Sequence, residues 1–179
     1  IIGDAFAPDQ VVAAALAGGC RSIAYTYTEP TVFFEFALET AKKAHAQGLR
    51  NVFVTNGYMT PEALGMVAPY LDAANVDLKA FRDETYRRYV GARLQPVLDT
   101  MKVMVRLGIW LEVTTLIIPG QNDTQDELER LAAWMMEKLV ALADQYCEGR
   151  LISVLEGGYC LERLPELAKN HVEVLLQNK

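Results

Sequence analysis

Four clusters of polar residues stand where apolar, strand-like runs end. They are Thr26, Thr28 and Glu29-Pro30; Thr55-Asn56-Gly57; Asp77 with Lys79; and Gln121-Asn122-Asp123. In parallel α/β folds the working residues gather just beyond the C-terminal ends of the strands, where loops are free of the sheet. Taken singly each cluster has a plain reading: Asn-Gly is a turn signal, Glu-Pro a strand exit, and Asn122-Asp123 a loop before a helix cap. Together they put hydroxyls, carboxylates, amides and an ammonium on one rim, which favours a site. The other chemistry-bearing residues form no such set. Cys20, Cys147 and Cys160 are 127 and 13 residues apart, and three cysteines make no even disulfide framework. Cys20, at a helix end before a strand, is expected to be a small buried thiol. His45 and His171 have no ligand-like neighbours and read as ordinary helix residues.

The elements that must position these clusters alternate regularly. Pro8-Asp9 opens an Ala-rich helix that stops at Gly18-Gly19. Strands are predicted at Ile23 to Tyr27, Asn51 to Thr55, Asn75 to Lys79 and Ile109 to Ile118. Helices are predicted from Thr31 to Gln47, from Pro61, and from Pro96 to Leu107. Thr124-Gln125-Asp126-Glu127 is a capping box. The apolar spacing that follows it, Leu128, Leu131, Met135, Leu139 and Leu142, predicts one helix to about Cys147. A last strand, Leu151 to Leu155, and a helix, Leu161 to Gln177, complete the chain. Near-continuous apolar strands separated by helices require a parallel sheet covered by helices, and this many short units favour a barrel. The aromatic residues Tyr25, Tyr27 and Tyr58 lie near the rim, though aromatic strand residues usually belong to a core.

Composition narrows the function classes. The chain has 179 residues, 51% apolar and 22% charged, with a net charge of −6. That is a folded composition, and its acidity argues against a general binder of nucleic acid or anionic membranes. No apolar run approaches the roughly 18 residues of a membrane span. The cysteine usage and the lack of a visible signal peptide make a reducing, cytoplasmic setting the expectation. The chain begins at Ile1 without an initiator Met, so a fragment is expected.

The run IAYTYTEPTVFFEFALETAKKAHAQGLRNVFVTNGYMTPEAL, followed by YLDAANVDLKAF, GARLQPVLDTMKVM and LEVTTLIIPGQND, resembles the radical S-adenosylmethionine (radical SAM) enzymes. It is most similar to the AmmeMemoRadiSam type, a relative of the pyruvate formate-lyase activating enzymes. The resemblance runs from about Gly3 to Trp134. It implies a partial TIM-like (βα) barrel and two cofactors, SAM and a [4Fe–4S] cluster held by a C-x-x-x-C-x-x-C loop. Reductive cleavage of SAM would then give a 5′-deoxyadenosyl radical that abstracts hydrogen from an unknown substrate, a protein being one class, with a flavodoxin or ferredoxin as electron donor. Carried over by position, Thr28, Glu29 and Pro30 match the strand-exit motif that meets the SAM amino group, to which a carboxylate and turned carbonyls are suited. Asn56 and Gly57 match the TNG motif lining the SAM pocket. Lys79 matches a lysine that reaches the SAM carboxylate or ribose, and Ile118, Pro119 and Gly120 match the strand end on which the adenine packs.

Two departures qualify the resemblance. The cluster loop is missing, so no metal site follows within this chain, and Val54 stands where the pyruvate formate-lyase activating enzymes tend to carry Asp. Beyond about Met136 the segment EKLVALADQYCEGRLISVLEGGYCLERLPELAKNHVEVLL resembles the C-terminus of histone deacetylase-like amidohydrolases. That resemblance implies an oxyanion-stabilising role for Tyr159, in a zinc site whose ligands this chain lacks. The expected organisation is therefore a radical SAM portion over residues 1–136 and a grafted strand and helix over residues 137–179. A gene-fusion fragment or an assembly artefact is the leading explanation of the join, and the chain alone is expected to be inactive. The alternatives are a non-catalytic α/β module and a remnant of a zinc-dependent deacetylase.

Overall fold

Along β2 (Arg50–Thr55), Asn51, Phe53 and Thr55 are buried while Val52 and Val54 between them are half-buried. β3 (Ala73–Asp77) repeats the pattern, with Ala74 and Val76 buried. With β1 (Ser22–Tyr25) and β4 (Trp110–Thr114) these form a four-stranded parallel sheet in the order β1-β2-β3-β4. The register pairs Tyr25 with Phe53, Phe53 with Ala74, and Ala74 with Leu111. Each strand pairs with the next along the chain, and in β2 and β3 alternate side chains are buried. This is barrel topology, without the reversal of strand order that marks a doubly wound sheet.

The computed structural model describes residues 6–135, together with 137, 141–146, 165, 169, 172 and 173. The chain divides into two compact units. One comprises Ile1–Asp77 with Pro96–Thr114; the other comprises Leu78–Gln95 with Thr115–Lys179.

The first unit holds the sheet. Its core joins Ala37, Ala41 and Ala44 of α2 (Phe34–Ala46), Leu64 and Val67 of α3 (Pro61–Val67), and Phe53, Val76, Val97, Met101 and Met104, all at most 1% exposed. The small residues of α2 let that helix lie close to the sheet, and α2 packs against α1 (Pro8–Ala17) and β2. Thr60 caps α3 by accepting the Ala63 N–H at 3.2 Å.

The helix before β1, the helix before β2 and the long helix before β4 end alike. In each, the amide two residues past the cap bonds back to a carbonyl of the last turn: Cys20 to Ala15, Leu49 to Ala44 and Ile109 to Met104. Leu49 and Ile109 bury themselves against that turn. Cys20 holds the same position but is exposed, contrary to the buried thiol expected from sequence. The backbone bond fixes its main chain in the turn after α1, and the thiol is left at the surface.

The second unit begins with the segment after β3. A short α4 (Asp83–Thr85) continues into a π-helical turn over Tyr86–Val90, a stretch whose sequence shows charge but no apolar period. Asp83 organises it by accepting from Arg87 Nε at 2.8 Å and from the Leu94 N–H, at the start of α5 (Leu94–Arg106), at 3.0 Å. α6 (Gln125–Trp134) is capped by Thr124. The capping box is only half formed, because Glu127 does not reach back to Thr124. Its side chain is 2% exposed and accepts instead from the Phe81 N–H at 2.7 Å.

Strand ends differ from expectation for a shared reason. β3 ends at Asp77 and β4 at Thr114, rather than at Lys79 and Ile118. The backbone groups of Lys79, Leu116 and Ile118 are bonded to the Asn122 side chain, so the sheet ladder has no claim on them. α2 starts at Phe34, not Thr31, because Thr31 is tied to Glu29. The long helix predicted to Cys147 is described as Gln125–Trp134 and α7 (Ala141–Tyr146). The predicted strand Leu151 to Leu155 and Tyr159 lie outside the described residues, as does most of the predicted helix Leu161 to Gln177. Among the described residues no helix is long and apolar enough to cross a membrane.

Candidate functional site

Each unit carries part of the residue set singled out by sequence. In the first, Glu29 ties two strand-exit loops together. Its Oε1 accepts from Thr55 Oγ1 at 2.7 Å, from Thr31 Oγ1 at 3.1 Å and from Thr31 N at 3.2 Å, while its Oε2 accepts from Asn56 N at 2.8 Å. Both oxygens are thus engaged by the chain itself. Thr55, 2% exposed, passes the link on by accepting the Gly57 N–H at 3.1 Å. Asn56 turns its Oδ1 onto the Tyr58 N–H at 2.8 Å, a turn closed by its own side chain. Gly57 has φ 71°, and a Cβ there would lie 2.8 Å from Val76 Cγ1 and 3.1 Å from Val97 Cγ1. Only glycine suits this place, on both counts. Thr28 is exposed and Pro30 buried, and the Tyr27–Thr28 peptide is cis.

The tyrosines separate. Tyr25 is core: it is 5% exposed, its ring meets Phe53 edge-on, and its hydroxyl donates to Asn51 Oδ1 at 2.9 Å. Burial holds its pKa well above the usual tyrosine value. Tyr27 is 93% exposed and Tyr58 45%.

In the second unit, Lys79, Thr85, Tyr89, Val90, Leu116, Ile118, Gln121 and Asn122 line a cavity of about 430 Å³. That lies within the roughly 300–1,000 Å³ usual for small-molecule pockets. Its walls are largely aliphatic and aromatic, with one cation, which suits a ligand that is apolar at one end and anionic or hydroxylated at the other. The structure therefore brings Lys79 and Ile118 of the sequence-derived set to one cavity. Pro119 and Gly120 follow in an exposed turn, where the Gly120 N–H donates to Asp123 Oδ1 at 3.0 Å.

Sequence marks Asn122 only as one member of a polar cluster, yet it holds this cavity. It is 3% exposed; its Oδ1 accepts the Ile118 N–H at 2.7 Å, and its Nδ2 donates to the Lys79 and Leu116 carbonyls, each at 2.9 Å. Tyr86, 1% exposed, accepts the Lys79 N–H at 3.1 Å. Sequence reasoning misses Tyr86 and Glu127 because each bonds a backbone group, and such partners leave no mark on residue type.

The family profile of the radical SAM superfamily matches residues 4–135. The chain belongs to the radical SAM superfamily. An uncharacterized protein of Methanocaldococcus jannaschii is 42% identical over 132 residues, covering 74% of this chain and 39% of that protein. A probable deacetylase of Archaeoglobus fulgidus is 34% identical over 87 residues, covering 45% of this chain and 22% of its own. The chain spans less than half the length of the curated relatives it matches. Among solved structures, a domain of pyruvate-formate lyase-activating enzyme from Bacteroides vulgatus superposes with a TM-score of 0.65 at 12% identity, over 88% of this chain and 94% of that one. Streptococcus suis SuiB bound to S-adenosylmethionine gives 0.71 at 13% identity, over 100% and 43%. The α/β fold is thus that of a partial radical SAM (βα) barrel.

Radical SAM domains bind SAM and a [4Fe–4S] cluster. The second unit's cavity has walls that fit the former. For the latter, no group of three or more His, Cys, Asp or Glu among the described residues could hold a metal ion.

Proposed function

We propose that residues 1–136 form the SAM-binding portion of a radical SAM enzyme of the activating-enzyme-like type. The cavity lined by both Lys79 and Ile118, in a chain matched to this superfamily over residues 4–135, carries the reading. Bound together, SAM and a reduced [4Fe–4S] cluster supply a 5′-deoxyadenosyl radical for hydrogen abstraction. Lys79 meets the SAM carboxylate or ribose with its ammonium, and Ile118, Pro119 and Gly120 give the adenine an apolar edge. The resemblance also assigns Thr28, Glu29, Pro30, Asn56 and Gly57, in the first unit, to SAM binding. With both Glu29 oxygens engaged within the chain, that carboxylate acts chiefly by fixing the two loops. The substrate, a protein being one class, and a flavodoxin or ferredoxin reductant belong to the same reading, as does a reducing cytoplasmic setting.

Equilibrium dialysis of SAM against the chain tests it. Lys79→Ala should weaken binding roughly tenfold or more, the range for a lost charge-assisted bond. Unchanged affinity would remove Lys79 from the site. If the chain folds cooperatively yet never binds SAM, a non-catalytic α/β module becomes the better description.

The likeness to a probable deacetylase supports a second reading, in which residues 137–179 are a deacetylase-like segment and Tyr159 is its oxyanion donor. Zinc-dependent hydrolysis of an acetyl-lysine peptide that disappears in Tyr159→Phe would establish it, and hydrolysis indifferent to that change would end it.

A further inference from the structure

The backbone of residues 79–81 is held by three buried side chains from three other stretches of the second unit. Tyr86 Oη accepts the Lys79 N–H, Asn122 Nδ2 donates to the Lys79 carbonyl, and Glu127 Oε1 accepts the Phe81 N–H. Their exposures are 1%, 3% and 1%. Asn122 does more, since it also bonds the Ile118 N–H and the Leu116 carbonyl. One amide thereby joins the strand exit that carries the cavity's cation to the loop that forms its aliphatic wall. It uses both Nδ2 hydrogens and one Oδ1 lone pair, so its hydrogen-bonding capacity is nearly filled by backbone. Glu127 Oε2 lies 3.4 Å from Arg82 Nε without a hydrogen bond, so this carboxylate is anchored on Phe81 and neutralised beside it. Arg82 in turn donates to Thr124 Oγ1 and Asp126 Oδ2, both at 3.0 Å, at the start of α6.

We infer that Asn122, Tyr86 and Glu127 are positioning residues that set the separation between the Lys79 ammonium and the Leu116–Ile118 wall. That separation selects a ligand whose anionic or hydroxylated group stands at a matching distance from its apolar ring. The inference rests on the reading that Lys79 meets the ligand. It adds that the fit is determined by three groups that each bond the main chain. Displacing a binding group by even an ångström is enough to cost a large factor in its interaction.

The test is a set of double-mutant cycles on SAM affinity, measured calorimetrically on the full chain. Tyr86→Phe removes one oxygen, and Asn122→Asp keeps the acceptor for Ile118 while setting an oxygen against two carbonyls. Each should weaken SAM binding roughly tenfold with Lys79 present, and by no more than about twofold in a Lys79→Ala background. A general structural role would lower affinity equally in both backgrounds, and that result overturns the inference. Affinity indifferent to Lys79→Ala instead overturns the site assignment on which the inference stands. Should Asn122→Asp fail to fold, the Tyr86→Phe cycle decides alone. Its companion readout is amide exchange, which should quicken at Lys79 while Phe81 stays protected; protection retained at both positions counts against the inference.

Discussion

Glu29 accepts four hydrogen bonds, from Thr31, Thr55 and Asn56, whereas Asn122 accepts one and donates two, all to backbone. The first is a charged group in the unit that holds the sheet; the second is a neutral amide in the other unit. Both lie in loops that follow strands, and both hold those loops with side-chain hydrogen bonds. They differ in their surroundings. Both Glu29 oxygens accept from the chain's own donors. Asn122 lines a cavity together with Lys79. The carboxylate that sequence marks as a ligand contact also ties two loops, while an inconspicuous asparagine lines the pocket.

The largest effect should come from the turn that Glu29 stabilises. Gly57→Ala combines a left-handed backbone with a Cβ 2.8 Å from Val76, so about 3 kcal/mol of stability should be lost. Gly120, in the loop that Asn122 holds, has φ 76°, but a methyl group placed there would meet nothing within 4 Å. Gly120→Ala should therefore cost only about 1–2 kcal/mol, the left-handed backbone alone. Urea denaturation of the two variants gives the difference directly, and equal losses would mean that packing does not distinguish the two loops.

Next come the ties themselves. Bonds to a charged group contribute about 1.5–3 kcal/mol and neutral ones about 0.5–1.5 kcal/mol. On that scale Glu29→Ala should destabilise by about 2–3 kcal/mol and exceed Asn122→Ala, with Glu29→Gln recovering part of the loss. Urea midpoints in the reverse order would show that the buried amide matters more to folding than the carboxylate.

The smallest effects are in pH dependence, and they fall on opposite limbs. In the first unit, burial raises the Tyr25 pKa, so its contribution is complete below the unfolded value of about 10 and is lost as pH rises beyond it. In the second, the Leu94 N–H chiefly, with Arg87 and Arg93 adding, lowers the Asp83 pKa. That contribution is present above the unfolded value of about 3.9 and is lost as pH falls through the lower folded one. Melting temperatures across pH should show Tyr25→Phe flattening the alkaline limb and Asp83→Asn flattening the acid limb slightly, since Asp83 is 40% exposed. A change of both limbs by either variant would contradict this division.

Much of this protein is written in local sequence. Apolar runs of strand length between amphipathic stretches determine a parallel sheet covered by helices, because burial repeats with the period of each element. Pro61 after Thr60 marks a helix start, and the Thr55-Asn56-Gly57 turn is legible because only glycine fits its third position. The order of these motifs also suffices for the superfamily, and it places Lys79 and Ile118 in one set that the cavity then joins. What tertiary structure decided was the partner of each polar side chain. Asn122 reaches 43 residues back to Lys79, and Glu127 reaches 46 back to Phe81. Such bonds leave β3 and β4 shorter than the spans their apolar residues suggest. Exposure of Cys20 belongs to the same class, since it depends on what packs beside a turn. Hydrophobic periodicity repeats along the chain and can be read there; a side chain that bonds a distant backbone group repeats nothing, and its partner exists only once the fold has formed.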